Sequence, residues 1–322
     1  MTSASTLSVR ITRKEVAALD ICTFELMDVN GGPLPAFSAG SHVDVHLPGG
    51  VTRQYSLCND PKETHRYLIG VLRDPASRGG SQALHDQVNV GQVLQISPPK
   101  NHFPLAHDAR RSLLLAGGIG VTPILCMAER LAITGADFEM HYCARSQDRM
   151  AFRERITNSD YARRVQFHVD DGDASQKLDI AGLLATPQPG QHLYVCGPKG
   201  FMDAVLNAAR QSGWDESHLH YEFFSAEVAK SDSDASFEVK LASSGRTIVV
   251  AKDKTVTQAL SEAGIEVQTA CEQGVCGTCL TRVLEGIPDH KDMYLTPEEQ
   301  ACNDQFTPCC SRSKTPMLVL DL

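Results

Sequence analysis

The sequence contains no run of about 18 apolar residues, so no membrane-spanning helix is expected. Its opening, Met1-Thr2-Ser3-Ala4-Ser5, lacks the basic and apolar regions of a secretory leader, and a cytoplasmic location is expected. A disulfide framework is missing too. The eleven cysteines are odd in number and scattered apart from a C-terminal group, which suits a reducing compartment. Basic excess is likewise absent: Lys and Arg number 30 against 39 Asp and Glu, a formal charge of −9. That balance argues against nucleic acid as partner and suits encounter with a basic protein surface. The 322 residues fit two or three domains, and a monomer is expected.

What is present is most specific near the C-terminus. Cys271, Cys276 and Cys279 fall in a C-x4-C-x2-C spacing within Cys271-Glu272-Gln273-Gly274-Val275-Cys276-Gly277-Thr278-Cys279. This is the spacing of plant-type [2Fe–2S] ligation, completed by one distant cysteine; Cys309 and Cys310 both stand at the right remove. Gly274 and Gly277 allow a tight loop whose N–H groups face the sulfurs. Zinc sites pair C-x2-C knuckles with a second pair, and the gap of four does not suit them.

Residues 1–106 read as short strands with turn punctuation: Leu7-Val9-Ile11, Thr23–Leu26, the alternating His42–Leu47, Tyr67–Leu72 and Val93–Ser97. Such spacing predicts a small antiparallel barrel. Arg53-Gln54-Tyr55-Ser56 occupies one strand, and Arg78-Gly79-Gly80-Ser81 precedes a helical stretch. An Arg, an aromatic ring and a hydroxyl suit a phosphate, a ring face and a ring edge, and a Gly-Gly-Ser helix start offers amides to an anion. Taken singly, each is also an ordinary strand or turn.

Residues 107–226 alternate strand and helix. An apolar strand, Ser112–Ala116, runs into Gly117-Gly118-Ile119-Gly120-Val121-Thr122-Pro123 and a helix over 124–133. Further strands are expected at Glu139–Cys143, Val165–Val169 and His192–Cys196, the last ending in Gly197-Pro198, with a helix over 200–211. This predicts an open parallel sheet with its ligand beyond the carboxyl ends of the strands. The turn lacks the G-x-G-x-x-G fingerprint.

R-x-Y-S, then G-G-x-G-x-T-P, then C-G-P, then Glu222-Phe223-Phe224, in this order, resemble the ferredoxin–NADP reductase superfamily. With the C-terminal cysteine pattern, with Tyr55–Asp60 and His290-Lys291-Asp292-Met293, and with the closing Leu318–Leu322, the whole chain resembles the phthalate dioxygenase reductase family. The resemblance implies a flavin barrel, an α/β nucleotide domain and a β-grasp ferredoxin domain. Arg53, Gln54, Tyr55 and Ser56, the strand Gly70-Val71-Leu72 and the turn Gly79-Gly80-Ser81 would then bind flavin, with Phe224 stacked near its ring. Gly117, Gly118, Gly120, Thr122, Pro123, Arg145, Cys196, Gly197 and Pro198 would receive the pyridine nucleotide. Ser56, Thr122 and Cys196 would orient the reacting groups. One departure is Leu72, where the family carries a lysine near the phosphate.

The family uses FMN, and the chain shows no aromatic-bearing insertion to hold the adenine of FAD. NADH is expected over NADPH. After the second sheet strand Arg145 is followed by Ser146-Gln147-Asp148-Arg149, and after the third come Asp170, Asp171 and Asp173, acids that repel a 2′-phosphate and suit a free ribose diol.

A small, polar linker is expected over 227–236 and the ferredoxin domain over 237–322, with a hairpin at 237–250, a helix over 256–263, the cluster loop and a strand over 280–286. The resemblance places the fourth ligand at Cys309. The chemistry implied is passage of electrons from a two-electron donor to a one-electron centre, with flavin as adaptor and a Rieske-type oxygenase as the partner. A diiron or haem hydroxylase is the alternative partner. An iron or redox sensor is the alternative of another class, disfavoured by the full set of hydride-handling motifs.

Overall fold

The computed structural model describes residues 6–77, 79–224 and 235–322. They fall into two compact units, Met1–Glu222 and Phe223–Leu322. Arg78 and all of the expected linker except Ala235 and Ser236 lie outside the described residues.

The first unit opens with β1 (Leu7–Ala18), β2 (Ile21–Asp28), β3 (Ser41–His46), β4 (Thr52–Ser56), β5 (Tyr67–Leu72), helix α1 (Gly80–Gln87), β6 (Val93–Ile96) and the short β7 (Lys100–Asn101). The strand order is β4-β3-β6-β1-β2-β5, with β7 beside β3. Leu57, just past β4, bridges Ile69 of β5, and the Cys58 amide donates to the Leu68 carbonyl at 2.9 Å. The two end strands therefore meet, and the sheet closes into an antiparallel barrel. Alternate residues fill it, among them Val9, Ile11, Phe24, Leu26, Val43, Val45, Ile69 and Val71.

Strand β3 departs from the half-exposed strand that its alternation predicts. His42 and Asp44 are buried as fully as Val43 and Val45. The carboxylate is compensated: Lys100 Nζ lies 2.7 Å from one Asp44 oxygen and Gln54 Nε2 donates to the other at 2.9 Å. The His42 ring lies against His102, and burial pushes its pKa down to about 4.

The unit continues with β8 (Arg111–Gly117), α2 (Val121–Thr134), β9 (Phe138–Ala144), α3 (Arg153–Thr157), β10 (Val165–Val169), α4 (Ile180–Leu184), β11 (Gln191–Cys196), α5 (Lys199–Gln211) and β12 (Leu219–Glu222). All five strands are parallel, in the order β10-β9-β8-β11-β12. Leu113, Leu114, Leu115 and Ala116 are all buried, as expected of a strand covered on both faces. The fifth strand, β12, goes beyond the four expected; Leu219-His220-Tyr221-Glu222 is only four residues long and holds a single aliphatic side chain. Helix α2 begins at Val121, three residues before the expected start, and Pro123 sits in its first turn, where a missing N–H costs nothing. The order reverses between β8 and β11. That reversal is the topological switch point of the sheet, where a crevice opens for ligands.

The second unit has β13 (Phe237–Leu241), β14 (Thr247–Val250), α6 (Val256–Glu262), β15 (Thr281–Glu285), β16 (Pro288–Asp289), α7 (Pro297–Cys302), β17 (Gln305–Phe306), β18 (Arg312–Ser313) and β19 (Met317–Leu320). Its main sheet runs β14-β13-β19-β15-β17, with β13 and β19 parallel. Thr255 caps α6 by a reciprocal bond pair with Gln258. Helix, sheet and cysteine loop form a β-grasp ferredoxin domain around Phe237, Val239, Leu260, Phe306, Leu318 and Leu320.

Candidate electron-transfer sites

At the barrel, the Arg53 stem lies over the turn that begins α1. A Cβ on Gly80 would fall 2.5 Å from Arg53 Cγ. Gly79 takes the left-handed conformation at φ 91°, and neither a capping side chain nor an acidic first turn competes for the helix N-terminus. A guanidinium stem beside free amides fits an anion such as a flavin phosphate. Other expected contacts go elsewhere. The Gln54 amide is spent on Asp44, on the opposite strand face from Arg53 and Tyr55. Ser81 Oγ accepts from the Asp74 amide at 3.2 Å. The Val71 side chain fills the barrel core, so this strand offers a ligand its backbone and the half-buried Leu72. Gly70 accommodates its neighbours: a Cβ there would lie 2.9 Å from Thr122 Cγ2 and 3.2 Å from the Phe152 ring. Phe224 is 38% exposed.

At the switch point the three glycines of the sheet turn divide by role. A Cβ on Gly120 would fall 2.2 Å from the Cys196 carbonyl oxygen, and one on Gly117 2.8 Å from the Phe201 ring. These two are glycine so that β8 and β11 can close on one another. Gly118, at φ +53°, has open space around it and is the one a ligand can approach. Thr122 is buried, with its hydroxyl donating to the Ile119 carbonyl at 3.0 Å, a bond that braces the turn. Pro123 is buried in the same helix turn. Arg145, Asp170 and Asp171 are exposed beyond β9 and β10, tied by the Asp171 amide to the Arg145 carbonyl at 3.0 Å. Pro198 caps α5, with its ring 2.9 Å from a Cβ built on Gly117.

Sequence motifs left one residue without a role. Glu222 ends β12 in register with Cys196 of β11, and Ser56 Oγ donates to its Oε2 at 3.4 Å. Burial pushes the Glu222 carboxyl up to about 7, opposed by the Ser56 hydrogen bond. The Cys196 thiol is fully buried and its pKa is raised well above the ordinary value, by burial first and then by Glu222; it is a neutral thiol. The signal in the sequence was the Glu222-Phe223-Phe224 stretch itself, which contributed to the resemblance and to the reading of Phe224 but gave Glu222 no chemistry.

In the second unit Cys271, Cys276, Cys279 and Cys309 are all buried. The amides of Gln273 and Val275 point at Cys271 Sγ from 3.3 and 3.4 Å. The Cys276 and Cys309 thiols first, and then these amides, hold Cys271 below the ordinary thiol range against its burial. The Cys309 thiol reaches both Cys271 and Cys279. The Cys310 thiol touches Cys309 but neither Cys271 nor Cys279 among the contacts that set its pKa, and also meets Thr307 Oγ1 at 3.2 Å and Ser311 Oγ at 3.8 Å. Among the described residues no three His, Cys, Asp or Glu side chains surround one metal position, whereas a two-iron cluster asks for two thiolates at each iron. Amides directed at sulfur and closely placed thiols fit that donor set. Gly274 and Gly277 are both left-handed; a Cβ on them would strike Cys310 Sγ at 2.4 Å and the Tyr294 ring at 2.2 Å. Behind the loop, buried Asp292 accepts from the Leu295 amide at 2.9 Å and from Ser311 Oγ at 3.3 Å, and the Met293 amide donates to the Gly274 carbonyl at 3.0 Å.

Comparison with known proteins bears on both units. Residues 239–314 match the 2Fe-2S iron-sulfur cluster binding domain, and residues 94–219 match the N-terminal domain of the dimethylamine monooxygenase subunit DmmA-like family. The chain is 59% identical to vanillate O-demethylase oxidoreductase of Pseudomonas putida, over 95% of this chain and 96% of that one. It is 38% identical to phthalate dioxygenase reductase of Burkholderia cepacia, over 98% of this chain and 97% of the other. The chain belongs to the phthalate dioxygenase reductase family. A solved phthalate dioxygenase reductase, described as a modular structure for electron transfer from pyridine nucleotides to [2Fe-2S], superposes with a TM-score of 0.78 at 38% identity, covering 99% of this chain and 98% of that one. An intact type IV self-sufficient cytochrome P450 monooxygenase superposes at 0.85 with 40% identity, over 98% of this chain and 41% of that one. The chain is thus an oxidoreductase of the oxygenase reductase type, built from a flavin barrel, a nucleotide-binding sheet and a [2Fe–2S] ferredoxin domain. No helix among the described residues is long and apolar enough to cross a membrane.

Proposed function

We propose that the protein is the reductase component of a Rieske-type aromatic oxygenase of the vanillate O-demethylase kind, taking electrons from NADH through FMN and a plant-type [2Fe–2S] cluster. The observation that carries this reading is the presence, in one chain, of the Ser56–Glu222–Cys196 crevice and the four-thiol loop. We propose a flavin domain over 1–106, a nucleotide domain over 107–226 and a ferredoxin domain over 237–322. The protein acts as a soluble cytoplasmic monomer.

When bound, FMN supplies the exchange between a two-electron donor and a one-electron acceptor, and the cluster supplies the one-electron exit. The chain's own part is placement. Arg53 and the α1 amides hold the phosphate, with Gly80 leaving room for the Arg53 stem. Tyr55 presents its ring, and Ser56 Oγ lies at the flavin edge. Gly118 and the N-terminus of α2 receive the dinucleotide's pyrophosphate, and Arg145 meets its outer end. Asp170 and Asp171 disfavour a 2′-phosphate. Glu222 holds a proton on its carboxyl near neutral pH and accepts from Ser56 Oγ, which fixes the hydroxyl's direction. Cys196 stays neutral, so no thiolate charge opposes the nicotinamide. Cys271, Cys276, Cys279 and Cys309 hold the irons.

The test is the visible spectrum of the purified protein, followed by anaerobic titration with NADH. Flavin and red-brown cluster absorption, both bleached by NADH, are expected. A cluster that NADH leaves oxidised in the presence of flavin overturns the reading. Service to a haem hydroxylase is a second reading, favoured by the likeness to the cytochrome P450 monooxygenase; turnover with purified vanillate O-demethylase oxygenase, against a haem hydroxylase, separates the two.

A further inference from the structure

Lys14 lies outside every motif, yet its ammonium group meets three carbonyls at one helix end. The residue is half-buried on β1, opposite Phe24 of β2. Its Nζ donates to the carbonyls of Leu84 at 3.4 Å, His85 at 2.6 Å and Val88 at 2.7 Å. Leu84 and His85 belong to the last turn of α1, and Val88 is the residue that caps it. The same nitrogen stands 5.5 Å from the centre of the buried Phe24 ring. The last carbonyls of a helix have no partner within it and form the negative end of its dipole. A lysine from another element of the barrel covers that end of α1. The opposite end is the one read above as the seat of the flavin phosphate, where Gly79 brings no capping side chain and the Arg53 stem lies over Gly80.

We propose that Lys14 is a positioning residue for FMN: by holding the carboxyl end of α1 it keeps the amides of the first turn in place for the phosphate. Those amides converge on an anion only while the helix is formed. Helix α1 has eight residues, too few to persist in water without help from its surroundings. Apparent affinity is the intrinsic affinity reduced by the fraction of molecules whose binding site is formed, and Lys14 raises that fraction. Ammonium and phosphate then sit at opposite ends of one dipole, and each favours the helix that the other needs. Two further ties act on side chains of the last turn: His85 Nε2 lies 2.9 Å from the Val71 carbonyl, and Asp86 pairs with Arg73 at 2.9 Å. Lys14 differs from them in bringing a positive charge to the helix's own carbonyls. Because its effect passes through the first-turn amides, it bears on FMN and not on riboflavin, which has the same ring system and no phosphate.

This inference rests on the flavin-phosphate reading above. The experiment is titration of FMN, and separately of riboflavin, into the full-length protein freed of flavin, followed by quenching of flavin fluorescence. Lys14→Met keeps a stem against Phe24 and removes the charge and its donors. It is expected to raise the FMN dissociation constant about ten-fold and to leave that of riboflavin within about two-fold. Lys14→Arg, which keeps the charge, is expected to bind FMN within about two-fold of wild type. FMN binding unchanged in K14M, or FMN and riboflavin weakened equally, overturns the inference alone, the second outcome marking a lysine that merely supports the barrel. Should K14M fail to fold, hydrogen exchange on the wild-type chain tests the reciprocal effect. Saturating FMN is expected to slow exchange of the amides over 84–88 more than saturating riboflavin does, and equal slowing overturns the inference. A wild-type protein that binds riboflavin as tightly as FMN overturns the flavin-phosphate reading and the inference with it.

Discussion

The hydroxyl of Ser56 donates to Oε2 of Glu222 at 3.4 Å, joining the end of barrel strand β4 to the end of sheet strand β12. One hydrogen bond thereby ties the expected flavin edge to the strand beside Cys196.

That bond ends on a carboxyl whose pKa burial raises from 4.5 to about 7. Below about pH 4.5 Glu222 is protonated whether folded or unfolded. Between 4.5 and about 7 the folded chain keeps a proton that the unfolded chain releases, so stability falls as pH rises through this window. Glu222→Gln should abolish that slope. The expected result is a wild-type melting temperature that declines relative to E222Q by a few degrees from pH 4.5 to 7.5, followed by differential scanning fluorimetry. A constant difference between the two proteins across the range would show that Glu222 does not titrate there.

The fourth thiolate is resolved by a pair of variants. Cys309 reaches Cys271 and Cys279, while Cys310 touches Cys309 and bonds Thr307 and Ser311. Cys309→Ser is expected to abolish the red-brown absorption and Cys310→Ser to keep it. The reverse pattern would move the ligand to Cys310.

Electron exit is expected at the rim of the cluster loop, where Glu272 is exposed at φ +57° and Gln273 and Val275 are half-buried. Glu272→Lys should slow electron delivery to the oxygenase about ten-fold at low salt, with the deficit shrinking as salt screens the contact. Flavin reduction by NADH should keep its wild-type rate. Equal slowing of both steps places the exit elsewhere.

Three imidazoles gather along the β11–β12 edge of the nucleotide sheet. His192 Nδ1 and His220 Nε2 are 2.9 Å apart, the His192 and His218 ring centres 4.3 Å, and Asp108 Oδ1 stands 3.9 Å from His192. Burial, then the His192 and His218 charges, push His220 from 6.5 down to about 4. Between these values the unfolded chain binds the extra proton, so this group's stabilisation is complete above about pH 6.5 and is lost as pH falls toward 4. His220→Gln should therefore reduce acid sensitivity over pH 4.5–6.5 in thermal melts. Unaltered acid sensitivity would mean that the cluster relaxes apart at no cost.

Much of this architecture was legible in the sequence because strand period and turn chemistry are local. The alternation of the barrel strands, the apolar run of β8 and the C-x4-C-x2-C spacing each state their geometry within a few residues. What escaped depends on partners far along the chain. Burial of His42 and Asp44 required Lys100, Gln54 and His102. Strand β12 is strand because β11 pairs with it, its own four residues being mostly polar. Sequence reading took Gly117, Gly118 and Gly120 as one ligand-binding turn, and only their distances separate the open Gly118 from two glycines that make room for protein atoms. Glu222 gains its raised pKa from burial and its hydrogen-bond partner, Ser56, from far along the chain.

The ferredoxin sheet has a consequence for biosynthesis. Strand β19 lies between β13 and β15, pairing with both, yet it follows every one of the four cluster thiols in the sequence. As the chain leaves the ribosome, Cys271, Cys276, Cys279 and Cys309 all emerge before the strand that joins the two halves of their domain. The two halves of the domain that frame the four thiols are therefore joined only once β19 has been made, so closure of the site waits on that strand.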